Sequence, residues 1–344
     1  MRRWRLGHAV VACLLLLPWI GPAARSEIVT AAAGRSSIDR VRRLSVTYEV
    51  EIAARDAGGD ALHVFLPIAI DTPGQRILEV EIDSPVEGQI ERESVYGNQF
   101  WHAEIPAESA EAISIRVKYE VERRVYRAGE EPGDRLSAER FLLSNQRVVV
   151  GHPILDPILA EIRSQSPGGD QELKARAIYD WIVDNVEYKK VGTGWGNGDT
   201  FWACSERYGN CTDFHSLFIS LARTEGIPAK FEMGFSIPLD RKEGTIVGYH
   251  CWLEFWLPDR GWVPVDASEA SKHPGQRELF FGTHPADRLQ FTTGRDLKLG
   301  EHHRDRPLNY FIYPYLEIGG MSADIAVTTR LHFRERPPTE DSQS

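Results

Sequence analysis

The sequence predicts an α+β protein, with a β-sandwich followed by a core in which one helix lies on an antiparallel sheet. Three stretches carry that expectation. From about Arg42 to Arg127, apolar and polar residues alternate with a period of two. Residues 210–226 read as a capped, amphipathic helix. Residues 248–266 read as strand, tight turn and strand.

In the first stretch, Leu44, Val46, Tyr48, Val50 and Ile52 alternate with polar residues. Segments 62–67, 77–82, 100–105 and 113–125 continue the series. Turn signals at Ala57-Gly58-Gly59-Asp60, Thr72-Pro73-Gly74 and Tyr96-Gly97-Asn98 separate them, the spacing of a sandwich of short strands. No catalytic constellation is evident in it, and its expected role is packing or substrate positioning. Helices are expected over 154–162 and 172–185. Gly192-Thr193-Gly194-Trp195-Gly196-Asn197-Gly198-Asp199 has no apolar strand before it, so it reads as a mobile loop and not as a nucleotide-binding turn. Residues 267–306 are expected to be loop-rich, and strands to return at 310–318 and 325–333.

The second stretch is the most specific. Asn210 is a good N-cap, with Asp213 three residues on as in a capping box. Phe214, Leu217, Phe218, Leu221 and Ala222 form an apolar stripe, and Gly226 with Pro228 ends the helix. Cys211 thus occupies the first helical position, where unpaired backbone N–H groups and the positive end of the dipole favour thiolate. In the third stretch His250, Trp252, Glu254 and Trp256 share one strand face. Pro258-Asp259-Arg260-Gly261 turns the chain, and residues 262–266 return. A five-residue loop over 257–261 sets Asp266 opposite Trp252, diagonal to His250 and within reach of it. A four-residue loop sends it to the other face. Cys211, His250 and Asp266 then supply a nucleophile, a proton shuttle and a carboxylate that orients the imidazole.

Composition bounds the rest. With 42% hydrophobic and 26% charged residues, the 344-residue chain is of globular type and long enough for two domains. Arg2, Arg3 and Arg5, the apolar run from Ala9 to Leu17 and the small residues at Ala24 and Ser26 read as a secretory signal peptide. The expected divisions are 1–26 signal peptide, 38–128 β-sandwich and 150–335 catalytic domain, with a periplasmic or secreted location. Loss of residues 1–26 removes four arginines and no acids, taking the formal charge from −10 to −14. So acidic a product argues against nucleic acid as a partner, and no integral membrane segment is expected after signal cleavage. Of the three remaining cysteines, Cys204 and Cys251 could pair and leave Cys211 free, a pairing that spacing alone does not establish. A zinc site from Cys204, Cys211, His215, His250 and Cys251 is disfavoured by its spacings, and no metal or other cofactor is expected. His215, four residues after Cys211, is expected to hydrogen-bond in the core or behind the reacting groups. The carboxylate of Asp213 is expected to point away from Cys211, because its charge opposes thiolate formation.

The blocks Gly209-Asn210-Cys211-Thr212-Asp213-Phe214, Gly226-Ile227-Pro228-Ala229-Lys230, Tyr249-His250-Cys251-Trp252-Leu253-Glu254 and Gly261-Trp262-Val263-Pro264-Val265-Asp266 resemble the transglutaminase-like core. The resemblance covers roughly residues 170–270. It implies a papain-like thiol-enzyme fold with Cys211 as nucleophile, His250 as base and Asp266 as third member. It also implies an aromatic oxyanion donor upstream of the cysteine, for which Tyr188 is the candidate and Trp195 and Trp202 are rivals. Trp252 and Trp202 are candidates for lining an acyl-binding groove. The resemblance further implies a protein or peptide amide substrate, cleaved or transferred through an acyl-enzyme. Protein crosslinking and a non-catalytic scaffold on the same fold are the alternatives.

Overall fold

The computed structural model describes residues 41–337 except Ala57, Pro132, Asp134, Ser166 and Pro167. The expected signal peptide lies outside the described residues. The first strands are β1 (Arg42–Ile52), β2 (Leu62–Ile68), β3 (Gln75–Asp83), β4 (Gln89–Arg92), β5 (Gln99–Ile105), β6 (Ile113–Arg123) and β7 (Tyr126–Arg127). The middle of the chain adds β8 (Glu187–Tyr188), β9 (Tyr208–Gly209), β10 (Ala229–Ser236), β11 (Glu243–Ile246), β12 (His250–Leu257) and β13 (Gly261–Val265). The last are β14 (Thr283–His284), β15 (Arg288–Thr293), β16 (Tyr315–Ile318), β17 (Met321–Ser322) and β18 (Val327–Arg336).

Alternation does in the sandwich what the sequence predicts. Leu44, Val46, Tyr48, Val50 and Ile52 are buried, and the residues between them are half-buried or exposed. The strands form two five-stranded sheets, of order β11-β18-β1-β6-β3 and β17-β16-β2-β5-β4. Their apolar faces belong to one core. The strand pairing redraws the expected division of the chain. β16, β17 and β18 fall in the expected catalytic span 150–335, yet they complete the two sheets begun by residues 42–123. Val46 pairs with Phe333 and Tyr48 with Leu331, and Phe65 with Tyr315, so each sheet takes in strands from the far end of the chain.

The core sheet has the order β13-β12-β10-β15, and the helix Cys211–Thr224 packs against β10 and β12. Leu253, Phe255 and Leu257 are buried, and Phe218 meets Phe255 at 6.1 Å between ring centroids. Helices Gln171–Asn185, Thr200–Glu206 and Ala267–Lys272 pack around the cysteine helix. That enclosure buries its polar residues too, including Ser216 and Ser220, so the helix is not the one-sided amphipathic element its apolar stripe implies. Its start is the predicted capping box. Asn210 Oδ1 accepts from Thr212 N–H at 2.8 Å, and Asp213 Oδ2 accepts from Asn210 N–H at 2.9 Å. At its end Gly226 takes φ +76° and Ile227 N–H returns to the Ala222 carbonyl.

Residues 267–306 hold more order than their composition suggests. A short helix, Ala267–Lys272, starts directly after β13, and β15 forms the edge of the core sheet. Both faces of β15 are buried, because Gln290 exchanges hydrogen bonds with Gln75 of the sandwich. Its polar residues therefore face protein and hide the apolar period. His303 is likewise buried and accepts from Leu299 N–H.

The glycine loop is anchored and not mobile. Asp213 accepts from Gly196 N–H (2.6 Å) and Gly198 N–H (3.0 Å), as well as from the helix cap. Arg295 donates to the carbonyls of Gly198 (3.0 Å) and Asn197 (2.7 Å). Gly198 has φ +58°, and a Cβ there would lie 2.2 Å from Ser216 Oγ. No other residue fits without moving the helix.

Two outcomes follow from these contacts. Leu331→Ala removes a fully buried side chain from β18 and lowers the unfolding free energy by about 2–5 kcal/mol in urea titration. Asp213→Ala strands three buried N–H groups. It costs about 2–4 kcal/mol and accelerates amide exchange at Gly196 and Gly198, measurable by hydrogen-exchange mass spectrometry.

Candidate active site

The hairpin joining β12 and β13 has the register that brings His250 and Asp266 together. Leu257 pairs with Gly261 and Leu253 with Val265, which sets Asp266 opposite Trp252. Gly261 supplies the left-handed backbone, with φ +69°. His250 Nε2 lies 2.7 Å from Asp266 Oδ2. The Cys211 thiol and the His250 ring are close enough to shift one another's proton affinity. With Nε2 committed to Asp266, Nδ1 is the ring nitrogen left to face the sulfur.

Asp266 is fully buried and surrounded by donors. Arg288 Nη2 lies 2.6 Å from Oδ2, and Oδ1 accepts from Ser268 Oγ and Glu269 N–H, both at 2.9 Å. Its carboxylate is also the N-cap of helix Ala267–Lys272. His215 Nε2 lies 3.5 Å from Oδ1 and accepts from Ala267 N–H at 3.2 Å, which places His215 behind the reacting groups. Burial opposes ionisation of Asp266, but His250 and Arg288 outweigh it and hold the carboxyl well below the usual range.

Charge balance extends to the thiol. Burial opposes ionisation of Cys211, but the neighbouring Cys251 thiol and the His250 imidazole with its charge bring its pKa well below that of a free thiol. Burial likewise opposes the His250 cation, but Asp266 and the Cys211 sulfur raise its pKa to about 9. The pair therefore favours thiolate and imidazolium. Cys204 and Cys251 go the other way. Burial pushes Cys204 up to about 11, and burial and Cys211 push Cys251 well above the ordinary value. All three thiols are free, so no Cys204–Cys251 disulfide is present.

Cys211 opens onto a cleft of about 310 Å³, lined among others by Tyr188, Lys190, Trp195, Tyr249, Tyr310 and Tyr313. Tyr188 reaches it because β8 pairs in parallel with β9, setting Tyr188 beside Gly209. Burial and the Cys211 sulfur push the Tyr188 phenol up, so it stays a protonated donor. Among the described residues its hydroxyl makes no hydrogen bond. The rival indoles are engaged: Trp195 Nε1 donates to the Gly192 carbonyl (3.1 Å) and Trp202 Nε1 to that of Tyr208 (3.2 Å).

Neither proposed groove tryptophan lines the cleft. Trp252 is buried, with Nε1 donating to Glu232 Oε2 at 2.8 Å and its ring packed against His284 and the Arg288 guanidinium. Trp202 packs on Tyr208 and against Gly194. The wall they were expected to form is built by tyrosines instead. Tyr249 accepts from Asn210 Nδ2 at 2.9 Å and contacts Tyr310 and Tyr313. Arg288 was also missed, since only the faint alternation of Leu289 and Phe291 marks its strand.

Residues 160–267 match the sequence profile of the transglutaminase-like superfamily. An uncharacterized protein of Haemophilus influenzae is 31% identical over 179 residues, covering 43% of this chain and 48% of the relative. YebA, an uncharacterized protein of Bacillus subtilis, is 29% identical over 117 residues, covering 30% of this chain and 16% of the relative. The chain thus spans about half of the first relative and less of the second. Among solved structures, a candidate cysteine protease of Cytophaga hutchinsonii superposes with a TM-score of 0.54, covering 86% of this chain and 98% of that one. At 16% identity that likeness is one of fold. Residues 160–267, the span of the transglutaminase-like match, contain Cys211, His250 and Asp266.

Proposed function

We propose that the chain is an exported thiol hydrolase of peptide or other amide bonds. The observation that carries this reading is the Cys211 thiol set against a buried His250–Asp266 pair at the floor of an open cleft. Cys211 thiolate attacks the amide carbonyl carbon and forms a C–S bond. The carbonyl electrons move to oxygen, held by the Cys211 backbone N–H and the Tyr188 hydroxyl. At the first turn of its helix, that N–H has no intrahelical acceptor. His250 gives its proton to the leaving nitrogen, the C–N bond breaks, and a thioester remains on Cys211. The amine departs. A water then yields a proton to His250 and attacks the thioester, releasing acid and restoring the thiolate–imidazolium pair. Asp266 stays ionised throughout and fixes the imidazole, and Arg288, Ser268 and the Glu269 N–H hold Asp266 in place.

Export is part of the proposal. It rests on the signal-like residues 1–26, and no helix among the described residues is long and apolar enough to cross a membrane. Water as acceptor fits that compartment, since hydrolysis needs no second binding site for an amine.

Two measurements test the proposal. Iodoacetamide at pH 6 modifies Cys211 and leaves Cys204 and Cys251 unmodified. Between pH 6 and 8 its rate changes a few-fold, against about 75-fold for a free thiol, and His250→Ala restores the free-thiol dependence. Amide hydrolysis falls as pH rises through about 9, where His250 loses the proton it gives to the leaving amine. In the second measurement, periplasmic peptides are incubated with the protein, and acyl adducts on Cys211 are trapped by acid quench and identified by mass spectrometry. Adducts are expected on the wild type and none on Cys211→Ala. A chain that never acylates overturns the enzyme reading, and products formed only when an amine is added replace hydrolysis with transfer.

A further inference from the structure

The sandwich carries a second cluster of chemistry-bearing side chains, remote in sequence from Cys211. His63 on β2 and His102 on β5 share the outer face of their sheet, where Phe65, Phe100, Leu297, Leu299 and Phe311 form a small core of their own. His302 arrives from the covering segment and stacks on His102, with centroids 4.5 Å apart. One ring nitrogen from each of the three histidines lies within 4.8 Å of the other two.

The surroundings of His102 favour one tautomer. Its Nδ1 lies 3.3 Å from Glu91 Oε1, an ion-pair distance that favours the ring proton on that nitrogen. With the proton there, Nε2 carries a lone pair on the side of His63 Nδ1, 3.1 Å away. A carboxylate on the far nitrogen is the support that metal-bound histidines ordinarily have. The 3.1 Å separation is that of two nitrogens each about 2.05 Å from one ion, at a ligand angle of about 100°. Without an ion, His63 must hold its proton on Nδ1. With one, the proton moves to Nε2 of His63 and both lone pairs face the cation.

We propose that His63, His102 and His302 bind one divalent transition-metal ion, with Glu91 orienting His102 and the His302 ring turning out of its stack on His102 to aim a nitrogen lone pair at the ion. Three neutral imidazoles and a position open to solvent suit Zn²⁺, Ni²⁺ or Cu²⁺ and not the oxygen-seeking Mg²⁺ or Ca²⁺. The other cluster of ligand-type residues, Glu232, Glu254 and His284, differs in kind. There the Lys230 ammonium lies 3.4 Å from Glu232 and 3.1 Å from Glu254, filling the cationic position. An ion at the histidine cluster would tie residues 297–303 to both strands, close in sequence to the cleft residues Tyr310 and Tyr313.

The test uses tag-free protein carrying Cys211→Ser, which removes the reactive thiol as a competing ligand. Zn²⁺ titration by calorimetry is expected to show one ion per chain and a higher Tm with saturating metal. His63→Asn and His302→Asn, at half-buried positions, are expected to weaken binding at least about 100-fold, and Glu91→Gln by about 10–100-fold, with unchanged far-UV circular dichroism. The labelling rate of Cys211 in otherwise wild-type protein should not change with these substitutions, which separates this site from the thiol chemistry. Absence of Zn²⁺ binding by the folded Cys211→Ser protein, or equal binding by the histidine variants, overturns the proposal.

Discussion

The carboxylate of Asp266 ties the site together. Buried charge is costly unless every lone pair has a donor, and here His250, Arg288, Ser268 and the Glu269 backbone supply them. One group therefore ends a hairpin, caps a helix, neutralises an arginine and fixes an imidazole. Moving any of these elements would leave a charge unpaired in the interior. The geometry of His250 is thus set by folding, before any substrate arrives.

A second carboxylate solves the opposite problem. Asp213 lies two residues from Cys211 in the first turn of the same helix, where negative charge would disfavour thiolate. Its oxygens are spent on Asn210, Gly196 and Gly198 N–H groups, facing the glycine loop. Burial still pushes its carboxyl up, against the pull of those donors. The same contacts hold the loop that forms one wall of the cleft, so the cap of the cysteine helix and the shape of the site share one interaction.

What the sequence made legible was local or periodic. Asn210, Asp213 and Gly226 marked the helix ends, and the parity of the 257–261 loop set His250 and Asp266 on one face. Both depend on residues within a few positions of each other. Arg288 and the tyrosine wall were not legible, because they depend on which distant segments meet. β15 is buried on both faces, so Arg288, Gln290 and Thr292 obscure its apolar residues. Trp252 was misplaced for a related reason. Strand alternation says which residues share a face, but not which of them other segments cover, as His284 and Arg288 cover Trp252. The glycine loop looked mobile because its anchors, Arg295 and Asn309, lie about 100 residues downstream.

The pairing of β18 between β1 and β11 bears on how the chain folds. Val46 and Phe333 are neighbours in the sheet, and so are Ser45 and Arg334. The sandwich cannot reach its final strand order until residue 336 has been made. Strands β6, β3, β5 and β4 have their partners within residues 42–123, but one edge each of β1 and β2 waits for β18 and β16. Such long-range closure predicts slow folding and a need to keep the nascent chain unaggregated.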